Sequence, residues 1–281
     1  AGYVEGISLV SRSSLQERKL QIRGAALTAV ISVLAAALLL YPLMAGLLSR
    51  TEALSSRLLD ANLSLLRSLG NAIAKRDADT DAHNYRVTCY AVALAEALGI
   101  GKETITELIL GAFLHDVGKI GIPDQILLKP GRLTREEFQV MQTHAVLGIE
   151  IVEGTPWLAG AEKTIRHHHE RFDGNGYPDG LSGEAIPLAA RIFAVVDVFD
   201  ALASVRPYKQ ALSLEETLSI MEREAGKHFD PTIYAVFWQI APVLYEQGQS
   251  RDHAQWSQEL KAMLERYFKM KTAPEGAAEF G

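Results

Sequence analysis

The feature that most limits how this chain can fold is a stretch without any charged residue, residues 24–49, flanked by Arg23 and Arg50. A helix rises about 1.5 Å per residue, so a helix over this stretch is longer than the ~30 Å hydrocarbon core of a bilayer. The stretch therefore predicts a transmembrane helix. A buried core helix and a signal peptide are the alternatives, but the stretch is too long for either, and residues 1–23 precede it.

The flanks of this stretch do not give its orientation. Basic residues occur in nearly equal numbers on both sides, whereas the positive-inside rule depends on an imbalance. Residues 1–23 begin with Ala1 rather than with an initiator Met. We therefore expect them to be the end of an upstream region, for which a sensor domain is a candidate.

The residues after the stretch carry apolar side chains at helical spacing, which predicts a connecting helix over residues 50–74. The stripe consists of Leu54, Leu58, Ala61, Leu65, Leu69 and Ile73. It fits a short parallel coiled coil that carries a signal from the membrane, and the protein would then be a homodimer. It fits equally a helix that packs on the domain that follows.

The remaining sequence predicts an all-α domain over residues 75–245. Two capping-box patterns mark helix starts, at Thr134 and at Ser213. No segment shows the sustained alternation of a strand, and apolar residues at helical spacing predict helices over residues 91–98, 105–114 and 138–152. Beyond the domain we expect a C-terminal helix over residues 246–270 and a disordered tail over residues 271–281.

Charge and cysteine content exclude several classes of function. The formal net charge is −6, whereas a protein that binds a nucleic acid polymer usually carries a basic surface. Cys89 is the one cysteine, so neither an intrachain disulfide nor a cysteine zinc finger can form. A small anionic substrate is compatible, because bound metal ions can reverse the local field.

Histidines next to carboxylates predict a metal site for hydrolysis. His115-Asp116 follows a predicted apolar helix, and three consecutive histidines, His167 to His169, precede Glu170. Imidazole and carboxylate groups hold transition metals that need no thiolate. Consecutive side chains diverge around a helix, so we expect one or two of the three histidines to coordinate a metal.

Three further residues add to this site. His144 lies in the middle of the helix predicted over residues 138–152, among apolar residues, where an imidazole needs a hydrogen bond or a metal. A hydrogen-bonded core histidine is the alternative for His144 alone. Asp197 interrupts an apolar run, where a carboxylate is usually paired or metal-bound. Lys119, one turn beyond His115, can bind a phosphate oxygen or orient a metal-bound hydroxide.

Together these residues resemble the HD-GYP family of the HD superfamily, bacterial phosphodiesterases that hydrolyse the second messenger cyclic di-GMP. The resemblance covers roughly residues 70–240 and rests on the compound pattern rather than on one motif. The pattern consists of His115-Asp116-x-x-Lys119, His144, His168-His169-Glu170, Asp173-Gly174-Asn175-Gly176-Tyr177-Pro178, Asp197 and Arg206-Pro207-Tyr208-Lys209.

The resemblance implies an all-α fold and two or three divalent metal ions, with iron or manganese favoured by nitrogen and oxygen ligands. The implied ligands are His83, His115, Asp116, His144, His168, His169 and Asp197. Asp116 would bridge two ions. Asp79 stands four residues before His83, where some family members have a Glu that completes a third site, so both counts stay open. Glu170 and Asp200 are expected to support the ligand side chains.

For the substrate, the resemblance implies that Lys119, Arg206 and Lys209 bind the phosphates of cyclic di-GMP, and that Tyr177 stacks or hydrogen-bonds at the site. The expected catalytic residues are Asp116 and Lys119. A hydroxide held between the metal ions would attack the phosphodiester and give linear pGpG, with GMP as a further product in some members. In the family, the loop around Tyr177 is also linked to contacts with diguanylate cyclases.

Because cyclic di-GMP is an intracellular signal, we expect a single span in the bacterial inner membrane, in contact with lipid, and a cytoplasmic catalytic domain. Two alternatives stay open. One is a regulatory module that binds cyclic di-GMP or a cyclase with little turnover, against which the complete ligand set argues. The other is an HD phosphohydrolase of another cyclic dinucleotide or of a nucleoside polyphosphate. The Gly-Tyr-Pro loop with Arg206 and Lys209 argues against the polyphosphate only.

Overall fold

The computed structural model of the protein describes residues 12–76, 81–205 and 210–268. These residues form helices joined by loops, with no β-strand and a bridge between Ala225 and Phe229. The α-helices are α1 (Arg12–Arg76), α2 (Asp81–Ala97), α3 (Lys102–Leu114), α4 (Asp124–Leu127), α5 (Arg135–Gln142), α6 (His144–Val152), α7 (Glu162–His167), α8 (Leu188–Ala203), α9 (Leu214–Glu222), α10 (Pro231–Ser250) and α11 (His253–Phe268). The predicted all-α fold is confirmed.

The chain divides into two compact units, Ala1–Asp60 and Ala61–Gly281. In the first unit, α1 exposes apolar side chains such as Leu34 and Leu38. None of the most apolar window of α1 is buried within the protein, which argues against the buried core helix as an alternative. By length and composition, α1 is a candidate membrane span that includes the predicted segment 24–49.

The core of the second unit lies between α2, α3 and α8, which pack against one another. Helix α7 packs on α3 and α8, α10 packs on α2 and α8, and α11 packs on α2 and α3. Large side chains from several helices are fully buried there, namely Phe113, Phe193, Phe199, Phe237 and Trp256. The apolar area that they remove from water stabilises the unit. Because Trp256 belongs to α11, the C-terminal helix is part of this core.

The end of α1, from Ala61 onward, is part of the second unit and packs there through a face that differs from the predicted stripe. Leu63 and Leu66 are buried, although the stripe does not include them. Ile73 belongs to the stripe and is buried, so the packing alternative holds at that position. In contrast, Leu58 and Leu65 are 65% and 68% exposed. Most of the stripe thus faces away from the protein.

The helix predicted over residues 138–152 is wrong as a single element, because the structure divides it at Thr143 into α5 and α6. The Thr143 hydroxyl donates a hydrogen bond to the carbonyl oxygen of Val140 at 2.7 Å, and His144 Nδ1 lies 2.7 Å from that of Met141. Both side chains bond to carbonyls of the last turn of α5, which favours an interruption there. His144 therefore begins α6 instead of lying in mid-helix.

Both predicted helix starts are confirmed. At α5, the Thr134 hydroxyl accepts from the backbone N–H of Glu137, whose carboxylate accepts from the backbone N–H of Thr134. Ser213 and Glu216 form the same reciprocal pair at α9. The helices predicted over residues 91–98 and 105–114 correspond to α2 and α3, which begin earlier than predicted.

Candidate metal centre

Two groups of side chains in the second unit bring metal-binding atoms together. The first group, His83, His115 and Asp197, comes from α2, the end of α3 and α8. The second group, His144, His168 and His169, comes from the start of α6 and the end of α7. Within each group the ligand atoms lie within 4.8 Å of one another. Imidazole nitrogens and a carboxylate oxygen without thiolate are a donor set that fits divalent transition metals.

Asp116 lies between the two groups. Its Oδ2 is 3.0 Å from His115 Nε2 of the first group, and its Oδ1 is 3.6 Å from His144 Nε2 of the second. Asp116 is buried. Since its two oxygens face different groups, this one carboxylate can reach ions in both.

Close backbone packing brings His144 to Asp116. A 3₁₀ helix, Val117–Gly121, follows Asp116 and packs on α6. A Cβ atom on Gly118 would lie 1.8 Å from the carbonyl oxygen of His144 and 2.5 Å from the amide nitrogen of Gly148. Only glycine allows this approach, so the Gly in the sequence His115-Asp116-Val117-Gly118 is a packing requirement of the site.

Backbone carbonyls fix the rings of three of these histidines. Each Nδ1 lies within hydrogen-bond distance of the carbonyl oxygen three residues earlier in the chain, in the pairs His115–Ala112 at 2.8 Å, His144–Met141 at 2.7 Å and His168–Ile165 at 2.9 Å. A carbonyl only accepts, so Nδ1 carries the proton. The Nε2 atoms are left as acceptors, which is the form that binds a metal.

His83 is fixed by side chains instead. Its Nδ1 lies 2.7 Å from Asp200 Oδ2, and its Nε2 lies 3.5 Å from Asp197 Oδ1. Asp200 therefore contacts His83, the residue that it was expected to support. Arg86 also bonds to Asp200. Arg86 is not among the residues predicted from the sequence, because a single arginine on a helix is ordinarily exposed and nothing in the sequence places Asp200 opposite it.

Burial keeps the histidines of the second group neutral. It lowers the pKa of His168 well below its usual value, and the neighbouring His169 and His115 lower it further. Burial likewise lowers the pKa of His169 to about 3 and also lowers that of His144. The three imidazoles are uncharged at neutral pH, so a metal ion need not displace protons from them.

Asp116 stays ionised although it is buried. Burial alone would raise its pKa, but His115 and Lys119 hold the pKa of this carboxyl well below its usual range. Lys119 Nζ lies 2.8 Å from Asp116 Oδ2. For His115, burial alone would lower the pKa, but the Asp116 carboxylate more than offsets it, and the pKa is raised. The site thus contains a fixed anion beside the neutral imidazoles of the second group.

The Gly-Tyr-Pro loop is folded tightly against the second group. The ring of Tyr177 stacks on that of His169, with centroids 4.7 Å apart. A Cβ atom on Gly176 would lie 2.3 Å from the amide nitrogen of Arg171 and 2.6 Å from the carbonyl oxygen of His169. Burial, and then Asp116, raise the pKa of Tyr177, so its hydroxyl stays protonated at neutral pH.

Two carboxylates, Glu170 and Asp179, fix this loop through hydrogen bonds. The buried Glu170 accepts hydrogen bonds from the backbone N–H groups of Asp179 at 2.8 Å and Leu181 at 3.1 Å. Asp179 in turn accepts two hydrogen bonds from Arg166, and its Oδ2 lies 3.0 Å from His167 Nε2. Glu170 thus supports the loop rather than a ligand ring. Of the three consecutive histidines, His167 is the one outside the second group.

Three expected site residues fall outside the described residues. They are Asp79, the candidate ligand of a third ion, and Arg206 and Lys209, the expected phosphate contacts. The other seven expected ligands all belong to the two groups or lie between them.

A helical unit that gathers histidines and aspartates around an adjacent His-Asp pair defines an HD domain, the class named for that pair. The chain belongs to the HD domain family, whose sequence profile matches residues 67–233. This match confirms the resemblance drawn from the motifs.

Two curated relatives indicate the chemistry of nearby members. The chain is 48% identical over 169 residues to the cyclic di-GMP phosphodiesterase response regulator RpfG of Xanthomonas campestris, a match that covers 59% of this chain and 44% of the relative. It is 38% identical over 176 residues to the 3'3'-cGAMP-specific phosphodiesterase 2 of Vibrio cholerae, covering 62% of this chain and 34% of the relative. The chain therefore spans less than half the length of these relatives.

A solved structure supports the fold alone. The crystal structure of a cyclic GMP-AMP specific phosphodiesterase of Vibrio cholerae superposes with a TM-score of 0.50 at 18% sequence identity. The superposition covers 73% of this chain and 59% of that one.

Proposed function

We propose that this chain is a metal-dependent phosphodiesterase that hydrolyses cyclic di-GMP to linear pGpG, with GMP as a further product in a second step. The observation that carries the proposal is the pair of ligand groups with Asp116 between them, since hydrolases of phosphodiesters commonly use paired metal ions. The similarity to a cyclic di-GMP phosphodiesterase supports the choice of substrate.

The site would hold two divalent cations, Fe or Mn, and a third ion would require Asp79 as a further ligand. The first ion would be held by His83, His115 and Asp197, and the second by His144, His168 and His169. Asp116 would contribute to both sites. Ions bound there supply Lewis acidity, which activates a water nucleophile and stabilises the charge that develops on the phosphoryl oxygens.

The protein's own side chains divide the remaining work. Neutral imidazoles present Nε2 lone pairs, and the ionised Asp116 balances the charge of the cations. Lys119, with 17% of its side chain exposed and paired with Asp116, can donate to a phosphate oxygen. Tyr177 offers a ring face beside His169 on which a base can stack. We further propose that Arg206 and Lys209 bind the phosphates of the dinucleotide.

Location and partners follow from the other parts of the chain. We propose that α1 crosses the bacterial inner membrane once, in contact with lipid, and that the second unit lies in the cytoplasm with its substrate. The exposed Leu54, Leu58 and Leu65 support pairing of α1 with a second copy of the chain. The Gly-Tyr-Pro loop is the surface proposed for contact with a diguanylate cyclase.

The test is anaerobic turnover of cyclic di-GMP by the purified chain loaded with iron or manganese, with metal content determined on the same sample. We expect release of pGpG that disappears in the variant His115→Ala/Asp116→Ala. Glu107→Gln, which removes a carboxylate that pairs with Lys163 outside the two ligand groups, serves as the matched control. A parent that binds cyclic di-GMP and both ions without turnover would overturn the proposal in favour of a regulatory module.

A second substrate has its own support, because one relative is specific for 3'3'-cGAMP. Competition between the two cyclic dinucleotides at equal concentration decides between them. A kcat/KM for 3'3'-cGAMP that exceeds the value for cyclic di-GMP would assign the chain to the cGAMP-degrading members.

A further inference from the structure

Two carboxylates of helix α8 face the two ring nitrogens of His83. Asp197 and Asp200 lie three residues apart on α8, and they approach Nε2 at 3.5 Å and Nδ1 at 2.7 Å respectively. The Asp200 contact fixes the proton on Nδ1 and the direction of Nε2. This differs from His115, His144 and His168, whose Nδ1 atoms bond to the backbone carbonyls three residues earlier in the chain.

A carboxylate side chain is a less rigid support than a backbone carbonyl, because it can rotate. Arg86 removes this freedom from Asp200. Its Nε donates to Oδ1 at 2.6 Å and its Nη2 to Oδ2 at 3.0 Å, a bidentate pair. The Ser204 hydroxyl donates to Oδ1 at 3.0 Å. With His83, each oxygen of Asp200 has two partners, and the Asp200 side chain is 1% exposed.

We propose that Arg86 is a positioning residue of the first ligand group, acting through Asp200 to hold His83 Nε2 towards His115 and Asp197. The inference rests on the proposed metal centre. Without Arg86, the buried Asp200 would keep its contacts with His83 and Ser204 but lose the bidentate guanidinium that balances its charge and fixes its plane. The ion held by His83 would then bind more weakly, while the ion held by His144, His168 and His169 would keep its affinity.

The competing explanation is that the ion pair between Arg86 and Asp200 only stabilises the packing of α2 on α8. A second buried ion pair in the chain provides a matched control for this explanation. Arg191 on α8 bonds to Asp230 at 2.6 Å, and the two side chains are 15% and 7% exposed. For Arg86 and Asp200 the corresponding exposures are 13% and 1%. Both pairs are buried to a similar degree, and Asp230 caps α10 instead of contacting a ligand group.

The experiment measures Mn²⁺ binding to the full chain by equilibrium dialysis, in the parent and in Arg86→Gln, Arg86→Lys and Arg191→Gln. We expect Arg86→Gln to weaken one of two bound ions about 10–100-fold, the usual effect of losing a support behind a ligand, and to leave the other unchanged. Arg86→Lys should recover part of the loss. Arg191→Gln should lower the melting temperature and leave both affinities unchanged.

The proposal is overturned if Arg86→Gln keeps both ions at parental affinity, or if Arg191→Gln weakens binding as much. Should Arg86→Gln fail to fold, Asp200→Asn decides, since it preserves the size of the side chain. An unfolded Asp200→Asn makes the pair structural and ends the proposal. The readout needs no substrate, so a parent that binds two ions without turnover would overturn the phosphodiesterase function and leave this inference standing.

Discussion

The residues of the candidate centre favour metal binding but destabilise the metal-free protein. Imidazoles carried by α2 and by the ends of α3, α6 and α7 lie close together, and His168 Nε2 lies 3.3 Å from His144 Nε2. Such a cluster is costly when protonated, because buried like charges repel and are poorly solvated. The fold therefore favours neutral rings, which is also the state that binds a cation.

The metal-free protein should lose stability as the pH falls from about 6.5 towards about 3. Unfolded histidines titrate near pH ~6.5, whereas burial lowers the pKa of His168 well below its usual value and that of His169 to about 3. In this window the unfolded chain binds more protons, so the free energy of unfolding falls by up to about 1.4 kcal/mol per pH unit for each buried ring. The raised pKa of His115 acts above this window, because the stability it contributes is fully present below about pH 6.5 and is lost only as the pH rises through the folded pKa.

Denaturant unfolding in the presence of a chelator, between pH 7.5 and pH 4.5, measures this slope. His168→Gln should flatten it, whereas His253→Gln, which alters a ring outside both ligand groups, should leave it unchanged. A metal-free protein that is as stable at acid pH as at neutral pH would contradict the assignment of neutral buried histidines.

Most residues of the two groups could be predicted because their chemistry is visible in the sequence. His115, His168 and Asp197 stand out as polar groups beside apolar runs or in clusters. Arg86 does not, since a single arginine on a helix is ordinarily exposed, and only the fold reveals that Asp200 lies opposite. Glu170 was predicted to support a ligand, whereas its contacts with the amides of Asp179 and Leu181 depend on the path of the loop.

At the scale of elements, periodicity predicted where helices form but not where one of them breaks. The apolar pattern of α5 and α6 continues across Thr143, so a single helix was expected. The break arises from hydrogen bonds of Thr143 and His144 to the preceding turn, and from the contact of Gly118 with the start of α6. These are local and tertiary contacts that a hydrophobic pattern does not contain.

Gly118→Ala should separate the two elements that carry Asp116 and His144. The added methyl group would lie 1.8 Å from the carbonyl oxygen of His144, a backbone atom that cannot move aside alone. We expect a loss of at least about 1–3 kcal/mol in the free energy of unfolding, together with weaker metal binding, since Asp116 and His144 would move apart. Thermal melting and metal content measure the two effects.

Gly101→Ala is the matched control for this substitution. Gly101 has a φ of −69° and nothing within 4 Å of its Cβ position. It should leave both melting and metal content unchanged. If Gly118→Ala behaved in the same way, the close packing between the 3₁₀ helix and α6 would not be what positions His144.

Glu170→Gln should loosen the Gly-Tyr-Pro loop. Glu170 accepts hydrogen bonds from two backbone N–H groups, whereas the NH₂ group of Gln would face one of them and cannot accept. One buried hydrogen bond is therefore lost, which lowers the free energy of unfolding by about 1–3 kcal/mol. We expect faster hydrogen exchange at Asp179 and Leu181 and a higher KM, because Tyr177 is carried by the same loop. Metal content should not change.

The exposed Glu184 provides the control for the charge change, since Glu184→Gln removes a carboxylate without touching the loop amides. Equal hydrogen exchange at Asp179 and Leu181 in Glu170→Gln and the parent would contradict the role assigned to Glu170.

At the scale of the whole molecule, the sequence predicted separate segments that the structure groups differently. A transmembrane helix, a connecting helix and a domain from residue 75 were expected, whereas α1 runs from Arg12 to Arg76 and the second unit begins at Ala61. Composition marks the uncharged segment sharply. It does not mark where a continuous helix enters a core, which depends on Leu63, Leu66 and Ile73 being buried by other helices.

The two units should behave differently when they are separated. The apolar window of α1 is not buried in the protein, so the full chain should stay in the membrane fraction after an alkaline carbonate wash and require detergent. Residues 61–281 contain a complete core and should be soluble, melt cooperatively and bind the same number of ions as the full chain. Leu34→Arg/Leu38→Arg should release the full chain, since each charge at the centre of a span costs about 2.5–3.5 kcal/mol. A parent chain released by carbonate would contradict the membrane span, while loss of metal binding in residues 61–281 would mean that the centre depends on the first unit.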